Sequence, residues 1–593
     1  MKPYMSKLAF FIVSSGLFAL SYVESSNGLE TPALDGGPVE VELADVNLDG
    51  NPDLVSVGDH GSPYVNTQEH GIMVWFGDGT GNWAVYQTGN FGYGGVAVGD
   101  VDNDGYPDVG YAVHHNWGSG DFGDQLIEVA LGDGSGQNWT PYDDGLASNG
   151  EEWGMFGIDF ADVDSDGDLD LGANSFGCCD GLHIYFNLGD GTWTQSWGFN
   201  GGNSGEYFVF GDINGDGNPD FVAEREDNVV YASDGVGNFL SADGNLPGGI
   251  GGLDLGDVNN DGRDDISFCN VSGGVEVWLY GEDGNWVPAS DGLPGSGDFS
   301  LTQLYDMDHD GFADLVAFEP GTVKVWLGNG GSSWSQAAAI AVPNGGSPIF
   351  LRVGGDGDHN GYPDIILVDR EGSFWNYRNH LRFFRESSDP DELEIFPYTP
   401  GPGRKLKGGS VRFIRWTSEV PGDGSYVKLE LSVSGPDGPF VSIADSLSDN
   451  GVYQWIVPQV NSSNCFIRYT LISGTDTVSA LSRGAFTIMS STGIGEAGGE
   501  PIPGGFLEVY PARGGLWISY SVRKDGRIEL FSAQGRSLGV IAHSLRGKGV
   551  FFWDAVREGE CLPSGIYFLG LRDGGNFFVK KFFWFRLKEG SLK

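Results

Sequence analysis

Basic residues are scarce in this chain. Lys and Arg total 32 against 82 Asp and Glu over 593 residues, a net charge of −50. A surface of that sign repels phosphate backbones and anionic headgroups, which argues against nucleic acid and acidic lipid as partners. Cysteine is also sparse. Cys178, Cys179, Cys269, Cys465 and Cys561 are too few and too scattered for a disulfide framework, and no zinc spacing joins them. The adjacent Cys178 and Cys179 leave two options open, a vicinal disulfide or a reduced pair in a tight turn. Long apolar runs are missing beyond the N-terminus. Leu8–Leu20 follows Lys2 and Lys7 and ends on Ala19-Leu20-Ser21, so residues 1–21 read as an export signal cleaved before Tyr22. No other segment approaches ~18 consecutive apolar residues, so no integral membrane span is expected. The mature protein is expected to be extracellular or at the cell surface. Motifs of catalysis are missing too. The chain has no G-x-S-x-G elbow, no H-E-x-x-H helix and no phosphate loop, and the expectation is a protein that is not an enzyme.

Aspartate is abundant, and its spacing is regular. Seven nonapeptides recur 45 to 62 residues apart: DVNLDGNPD, DVDNDGYPD, DVDSDGDLD, DINGDGNPD, DVNNDGRDD, DMDHDGFAD and DGDHNGYPD. Positions 1, 3, 5 and 9 carry oxygen ligands in every copy. They are Asp45, Asn47, Asp49 and Asp53; Asp100, Asp102, Asp104 and Asp108; Asp162, Asp164, Asp166 and Asp170; and Asp212, Asn214, Asp216 and Asp220. The later copies supply Asp257, Asn259, Asp261 and Asp265; Asp306, Asp308, Asp310 and Asp314; and Asp356, Asp358, Asn360 and Asp364. Oxygens crowded onto one point, with Gly at position 6 for the sharp turn, suit a hard cation that accepts many ligands in flexible geometry. Calcium is the expected metal, in up to seven sites. Seven calcium ions would bring the net charge from −50 to about −36.

An EF-hand begins with the same pattern but needs Glu at position 12 and flanking helices. Position 12 here is Ser56, Tyr111, Ala173, Ala223, Phe268, Ala317 and Leu367, and the flanks are β-like, as in VEVEL before Asp45. A second landmark follows each loop: an apolar strand, a Gly-rich turn and an aromatic residue. Trp83, Trp139, Trp193, Phe239, Trp286 and Trp334 lie 38, 39, 31, 27, 29 and 28 residues after the first Asp, and Phe384 stands at offset 28 in the last copy. Each unit therefore reads as strand, Asp loop, strand, connection, strand, Gly turn, strand, which is one four-stranded blade. Periods of this length mark propellers and solenoids, and closing a ring removes exposed sheet edges. The D-x-[DN]-x-[DN]-G-x-x-D loops with later GDGT-type turns resemble the FG-GAP/VCBS repeat family of integrin α-chain propellers and bacterial surface proteins. The resemblance implies a seven-bladed β-propeller over residues 30–388, with calcium between the first two strands of each blade.

Loops at alternate strand ends lie on opposite faces of such a ring. The connections between second and third strands are longest in the first two units, at residues 58–70 and 113–125, with 149–154 and 176–181 nearby. They place His60, Tyr64, His70, His114, His115, Trp117 and Trp153 on the face opposite the Asp loops. Exposed aromatics on long loops suit sugar rings or peptide side chains, so these seven are the candidate ligand face. Structural or solvated histidines, and a transition-metal site at His114 and His115, are the alternatives.

The remainder divides into a linker (389–403), a series of alternating strands (404–489), a second linker (490–505) and a final β-rich segment (506–593). The segments IRWTS, VKLELS, GVYQWIVP and AFTI look like Ig/fibronectin-type modules of secreted bacterial proteins, with Trp416 and Trp455 as core residues. In residues 501–593 the charge reverses, with 14 Lys and Arg against 8 Asp and Glu. Tyr510-Pro511, Gly535-Arg536, Trp553-Asp554, Ser564-Gly565-Ile566-Tyr567 and Lys580-Lys581 resemble the C-terminal sorting domain of type IX secretion substrates and the Ig-like domain of flagellar hook-capping proteins. Pro511-Ala512-Arg513 replaces the usual Pro-Asn-Pro. That resemblance implies two small β-sandwiches in an otherwise all-β chain, and a contact with secretion machinery. The basic segment is either a solvated face or a docking surface for the acidic propeller. The function expected is adhesion or recognition of an extracellular glycan or protein. A purely structural surface protein and a polysaccharide-active enzyme are the competing classes.

Overall fold

The structure is a computed structural model. It describes residues 20–29, 40–58 and 71–490, apart from 90, 93, 114, 117–121, 149–154, 176–180, 200–203, 226–228, 374–375 and 423, and then 506–584 apart from 513–514, 533–535, 555–564 and 574–575. Among these residues the chain is all-β, with a three-residue 3-10 turn at Pro343–Gly345 as its one helical element. Seven four-stranded antiparallel sheets follow one another. The first is built from Val41–Ala44, Asp53–Gly58, Gly71–Gly77 and Trp83–Thr88, paired in that order. The same order recurs in sheets spanning 96–141, 155–199, 204–241, 251–288 and 301–341.

The burial pattern explains why the sheets stack. Second strands are buried on both faces, as in Asp53–Gly58 and Asp108–Ala112, whereas the fourth strand Trp83–Thr88 is largely exposed. A strand covered on both sides needs a neighbouring sheet on each side. The apolar core accordingly lies between sheets. Val55, Val74, Val96 and Tyr111 join the first two sheets, and Phe208, Phe221, Ile184 and Leu182 join the third and fourth. Leu54, Trp75, Ile366 and Phe383 join the seventh to the first. This is the repeated-sheet architecture of a β-propeller.

The seventh sheet departs from expectation. Its strands Ser347–Val353, Ile365–Ser373 and Asn376–Glu386 are completed by Tyr22–Glu24 from the other end of the chain. Phe384 therefore belongs to a third strand, opposite Glu24 and Ile365, and does not open a fourth strand as its offset suggested. Five of the other six open the fourth strand, Trp334 immediately precedes Ser335–Ala341, and all six are buried. Three of them tie sheets together: the indole N–H of Trp83 donates to Ser25 O (2.8 Å), that of Trp193 to Tyr142 O (2.7 Å) and that of Trp334 to Ala289 O (2.6 Å). The repeat thus takes in the strand Tyr22–Glu24, ahead of the expected start at 30. Leu20, on the leader side of the expected cleavage site, is buried between the sixth and seventh sheets, and Ser21 O accepts the Ser387 N–H at 2.8 Å.

The middle module also starts earlier than expected. Residues 394–399, within the expected linker, form the edge strand Glu394–Thr399 of a sheet with Val411–Glu419 and Val452–Ile456. A second sheet holds Tyr426–Ser432, Val441–Ser448, Ser462–Ser473, Asp476–Leu481 and Phe486–Met489, with Lys405–Lys407 added in parallel. Both sheets share one core, in which Trp416 and Trp455 are buried as expected. In the last segment, Phe506–Ala512, Gly515–Ser532, Ser537–Asp554, Gly565–Asp573 and Asn576–Trp584 form one five-stranded sheet whose first and last strands approach each other, with Leu516, Ile528, Trp553 and Leu569 in its core. Cys269 and Cys465 are buried free thiols, while Cys178, Cys179 and Cys561 lie outside the described residues.

The join between N-terminal strand and seventh sheet is electrostatic as well as apolar. Arg382 contacts Asp369 Oδ1 through Nε and Glu24 Oε1 through Nη1 (2.9 Å), with Asp369 fully buried. Removing one partner of a buried pair leaves an uncompensated charge. Arg382→Ala is expected to lower stability by about 3 kcal/mol in chemical denaturation. It should also speed hydrogen exchange in residues 20–29 beyond the chain average.

Candidate metal loops and the module seated on them

Each Asp loop is wound by its own side chains. The position-1 carboxylate receives the amide of Gly at position 6 in all seven copies, and the amide of position 5 in six of them. Position 5 in turn accepts the amide of position 7. These bonds demand two left-handed residues. One is the Gly at position 6, with φ between 86 and 104°. The other, at position 4, is invisible in the motif: Leu48, Asn103, Ser165, Gly215, Asn260, His309 and His359 all have φ between 55 and 67°. Position 4 also links neighbouring loops. Asn103 donates to Gly167 O (3.2 Å), Asn260 to Gly311 O (2.8 Å), and His359 Nε2 lies 3.3 Å from Gly50 O, joining the last loop to the first.

Position 9 has a role that the ligand reading missed. In every copy its Oδ2 accepts the amide of position 2 and its Oδ1 accepts an amide at the end of the third strand, at 2.7–3.1 Å. Asp170, for example, takes Val163 N–H at 2.8 Å and Asn187 N–H at 3.0 Å. This aspartate is a bracket that fastens the loop to its own sheet. Three chain segments meet on one carboxylate.

The structure brings positions 1, 3 and 9 together in four copies. Carboxylate oxygens of Asp100, Asp102 and Asp108 lie within 4.8 Å of one another, as do those of Asp162, Asp164 and Asp170, of Asp306, Asp308 and Asp314, and of Asp356, Asp358 and Asp364. In the other three copies position 3 is Asn47, Asn214 or Asn259, which offers a carbonyl oxygen in place of a carboxylate. Burial with crowding raises these acids. Asp108 and Asp220 are pushed up to about 8, Asp53, Asp100 and Asp212 to about 7, and Asp162, Asp257 and Asp308 to about 6, with desolvation the leading cause in each. Three buried oxygens at ligand positions lack any hydrogen-bond donor: Asp306 Oδ1, Asp358 Oδ1 and Asn214 Oδ1. Buried acceptors are ordinarily paired. Unpaired oxygens at positions 1 and 3 fit an oxygen-seeking cation. Several Asp clusters of this chain can thus hold metal ions.

The loop face is covered. The middle module sits on it and touches all seven loops. Asn450 Nδ2 reaches Asp45 Oδ2 (3.3 Å), and Val411 N–H donates to Asp162 Oδ2 (2.7 Å). Gln454 clamps the second loop, accepting Asp100 N–H at 3.0 Å and donating to Asp100 O at 2.7 Å. Arg412 donates to Gly217 O (2.6 Å), Arg404 pairs with Asp264 and lies 3.8 Å from Asp257 Oδ2, and Arg483 pairs with Asp306 Oδ2. On the seventh loop Val420 N–H donates to His359 O at 2.9 Å. Aromatic contacts come from the stretch expected to be a linker. Phe396 stacks on His309 with ring centroids 3.8 Å apart, and Tyr398 on Tyr305 at 4.0 Å. Beside the first three loops the seat is looser, leaving a cavity of about 1070 Å³ lined by Asp100, Tyr106, Asp168, Phe413, Arg415 and Gln454.

On the opposite face, His115 is the one candidate ligand residue among those described. It lies in the two-residue strand His115–Asn116, paired with Phe91–Gly92. His60, Tyr64, His70, His114, Trp117 and Trp153 lie outside the described residues. The base of the second insertion is well built. Buried Glu128 accepts Tyr111 Oη–H (2.5 Å), Gly123 N–H (2.8 Å) and Gln125 N–H (2.8 Å), and Phe91 stacks on Tyr111 at 5.1 Å.

Comparison with known proteins supports the repeat. The FG-GAP-like repeat model matches residues 45–111, 175–223, 257–317 and 306–367. No curated protein matches the chain. Among solved structures it is similar to a chain from the crystal structure of BBS1N in complex with ARL6DN, soaked with mercury (12% identity, 61% of this chain and 97% of that one, TM-score 0.37). The same complex soaked with lead gives 12% identity, 62% and 97% coverage, and a TM-score of 0.38. A Photorhabdus luminescens Tc holotoxin pore gives 12%, 84% and 20%, with a TM-score of 0.32.

The bracket and the ligand positions separate by mutation. Asp170→Ala strands two buried amides and is expected to cost about 2–4 kcal/mol of stability with or without divalent cation. Asp164→Ala, at a half-exposed position, is expected to leave stability in chelator almost unchanged while weakening cation binding in calorimetry. The raised acids also set a pH dependence. Between pH 5 and 8 the cation-free folded state holds protons that the unfolded chain has released, so stability falls as pH rises. Melting temperatures in EGTA are expected to drop across that window. Millimolar calcium, which needs the ionised carboxylates, should flatten or reverse the trend.

Proposed function

We propose that this chain is an exported, calcium-stabilised propeller of seven blades whose face opposite the Asp loops recognises an extracellular glycan or protein. The observation that carries the metal part is the set of unpaired buried oxygens at positions 1 and 3 of the loops. Oxygen-only donor sets with flexible spacing favour calcium over a transition metal. Asp, Asn and backbone groups of the loops would hold the ion, which supplies charge neutralisation and rigidity. Support for seven blades comes from the seven successive sheets and from the apolar cluster joining the seventh to the first.

The choice of face follows from coverage. The middle module occupies the loop side, so a partner of any size meets the other side, where the two longest second-to-third strand connections lie. The buried carboxylate of Glu128 gives one of these insertions a fixed base, as a recognition loop requires. The final basic segment is read as the part that contacts secretion or surface machinery. A purely structural role is the second reading, favoured by how much of the acidic face is spent on contact within the chain.

Two measurements test this. Calcium at 100 times its dissociation constant is expected to stabilise the fold by about 2.7 kcal/mol per linked site, so chelation should lower the melting temperature sharply. An unchanged melt would remove the calcium reading. Glycan and protein arrays probed in calcium should give a ligand whose binding is lost in a variant carrying His114→Ala, His115→Ala and Trp117→Ala. Binding retained by that variant would move recognition elsewhere, and the cavity beside the first three loops would be the next site to mutate.

A further inference from the structure

We infer that the middle module is a cation-set cap: filling the Asp loops and seating the module on them are one linked equilibrium. The inference rests on the reading of the loops as cation sites. It adds that the partner of the loop face is this same chain.

The pattern of contacts on position 1 carries it. At Asp45, Asp162 and Asp306 the module's donor reaches the same oxygen, Oδ2: from Asn450 (3.3 Å), from Val411 N–H (2.7 Å) and from Arg483. Arg404 approaches Asp257 Oδ2 at 3.8 Å in the same sense. On these aspartates Oδ2 takes both the loop's own Gly amide and the module's donor, so one oxygen joins the wound loop to the module. Asp306 shows this most plainly. Its side chain is buried, its Oδ2 pairs with Arg483, its Oδ1 has no donor, and its carboxylate belongs to the group formed with Asp308 and Asp314. Arg483 therefore leaves free the oxygen that a cation would take.

Other module contacts fall on loop backbone. Gln454 grips both the N–H and the carbonyl of Asp100, and Val420 N–H finds His359 O. Those groups occupy their positions only while the loop is wound. Three or four carboxylates sharing one buried point repel one another, and a cation between them holds the winding that the module reads. The coupling is therefore positive: cation loading tightens the seat. Linkage requires the converse, that a seated module raises cation affinity by the same factor.

The test uses the full chain. Metal-depleted protein is titrated with calcium, and hydrogen exchange is followed in the contact segments 409–420 and 450–458 and in the module's own core strands 427–431 and 465–471. Calcium is expected to slow exchange in the contact segments by tenfold or more and to leave the core strands unchanged. Gln454→Ala, an uncharged change outside the loops, is expected to shift the calcium midpoint several-fold upward, with unchanged core exchange showing that the module is folded. Calorimetric calcium binding with contact-segment exchange unaltered or accelerated would overturn the cap while leaving the cation sites intact. No heat and no stabilisation by calcium would overturn both.

Discussion

The structure depends on one carboxylate held by two backbone amides. In each repeat the position-9 aspartate accepts one N–H from the start of its loop and one from the end of the third strand. A buried polar group persists only when it is hydrogen-bonded. This requirement draws three segments to one point: the exit of the first strand, the entry of the second and the end of the third. The sheet and the Asp loop are therefore one object. Neither can be altered at position 9 without the other.

Concentrating acid on one face creates repulsion that something must offset. The chain supplies positive charge of its own. Arg404, Arg412 and Arg483 come from the middle module and meet consecutive loops of the fourth to sixth repeats, while Arg385 within the seventh sheet meets Asp358 at 2.7 Å. Cations between the carboxylates, as proposed above, would add a second kind. The arginines sit on outer oxygens and backbone carbonyls, and the loop interiors remain oxygen-lined. The middle module is thus part of the electrostatic design of the repeat domain, and the chain from 394 to 489 packs as its continuation.

Much of this was legible in the sequence, for a physical reason. Acids at positions 1, 3, 5 and 9 around a glycine mark a tight oxygen-rich turn, and the recurrence of the loop dictates the order of strands around it. The position-4 conformation was not legible, because Leu48, Asn103, Ser165, His309 and His359 share a backbone angle and no side-chain chemistry. The fourth strand of the seventh sheet was hidden for another reason. Tyr22–Glu24 is three residues long, too short to show alternation, and it adjoins the apolar sequence Leu8–Leu20, which masks it. The seat of the middle module escaped notice because it is made by backbone amides and by single polar side chains such as Asn450 and Gln454, with no charge run to betray it. Phe396 and Tyr398 stood in a Pro- and acid-rich stretch whose composition reads as a tether.

The borrowed strand has a kinetic consequence. Ser21 meets Glu386 across 365 positions of sequence, so the seventh sheet is complete only when two distant segments meet. Contacts of such long range close large loops and are slow to form. As the chain emerges during synthesis, the first six sheets can stack in order, but two of them keep an uncovered flank until residue 386 is out. For that interval the repeat domain is an open arc with sticky ends, vulnerable to pairing with a neighbouring copy. Closure is a single late event, and it hides both ends at once.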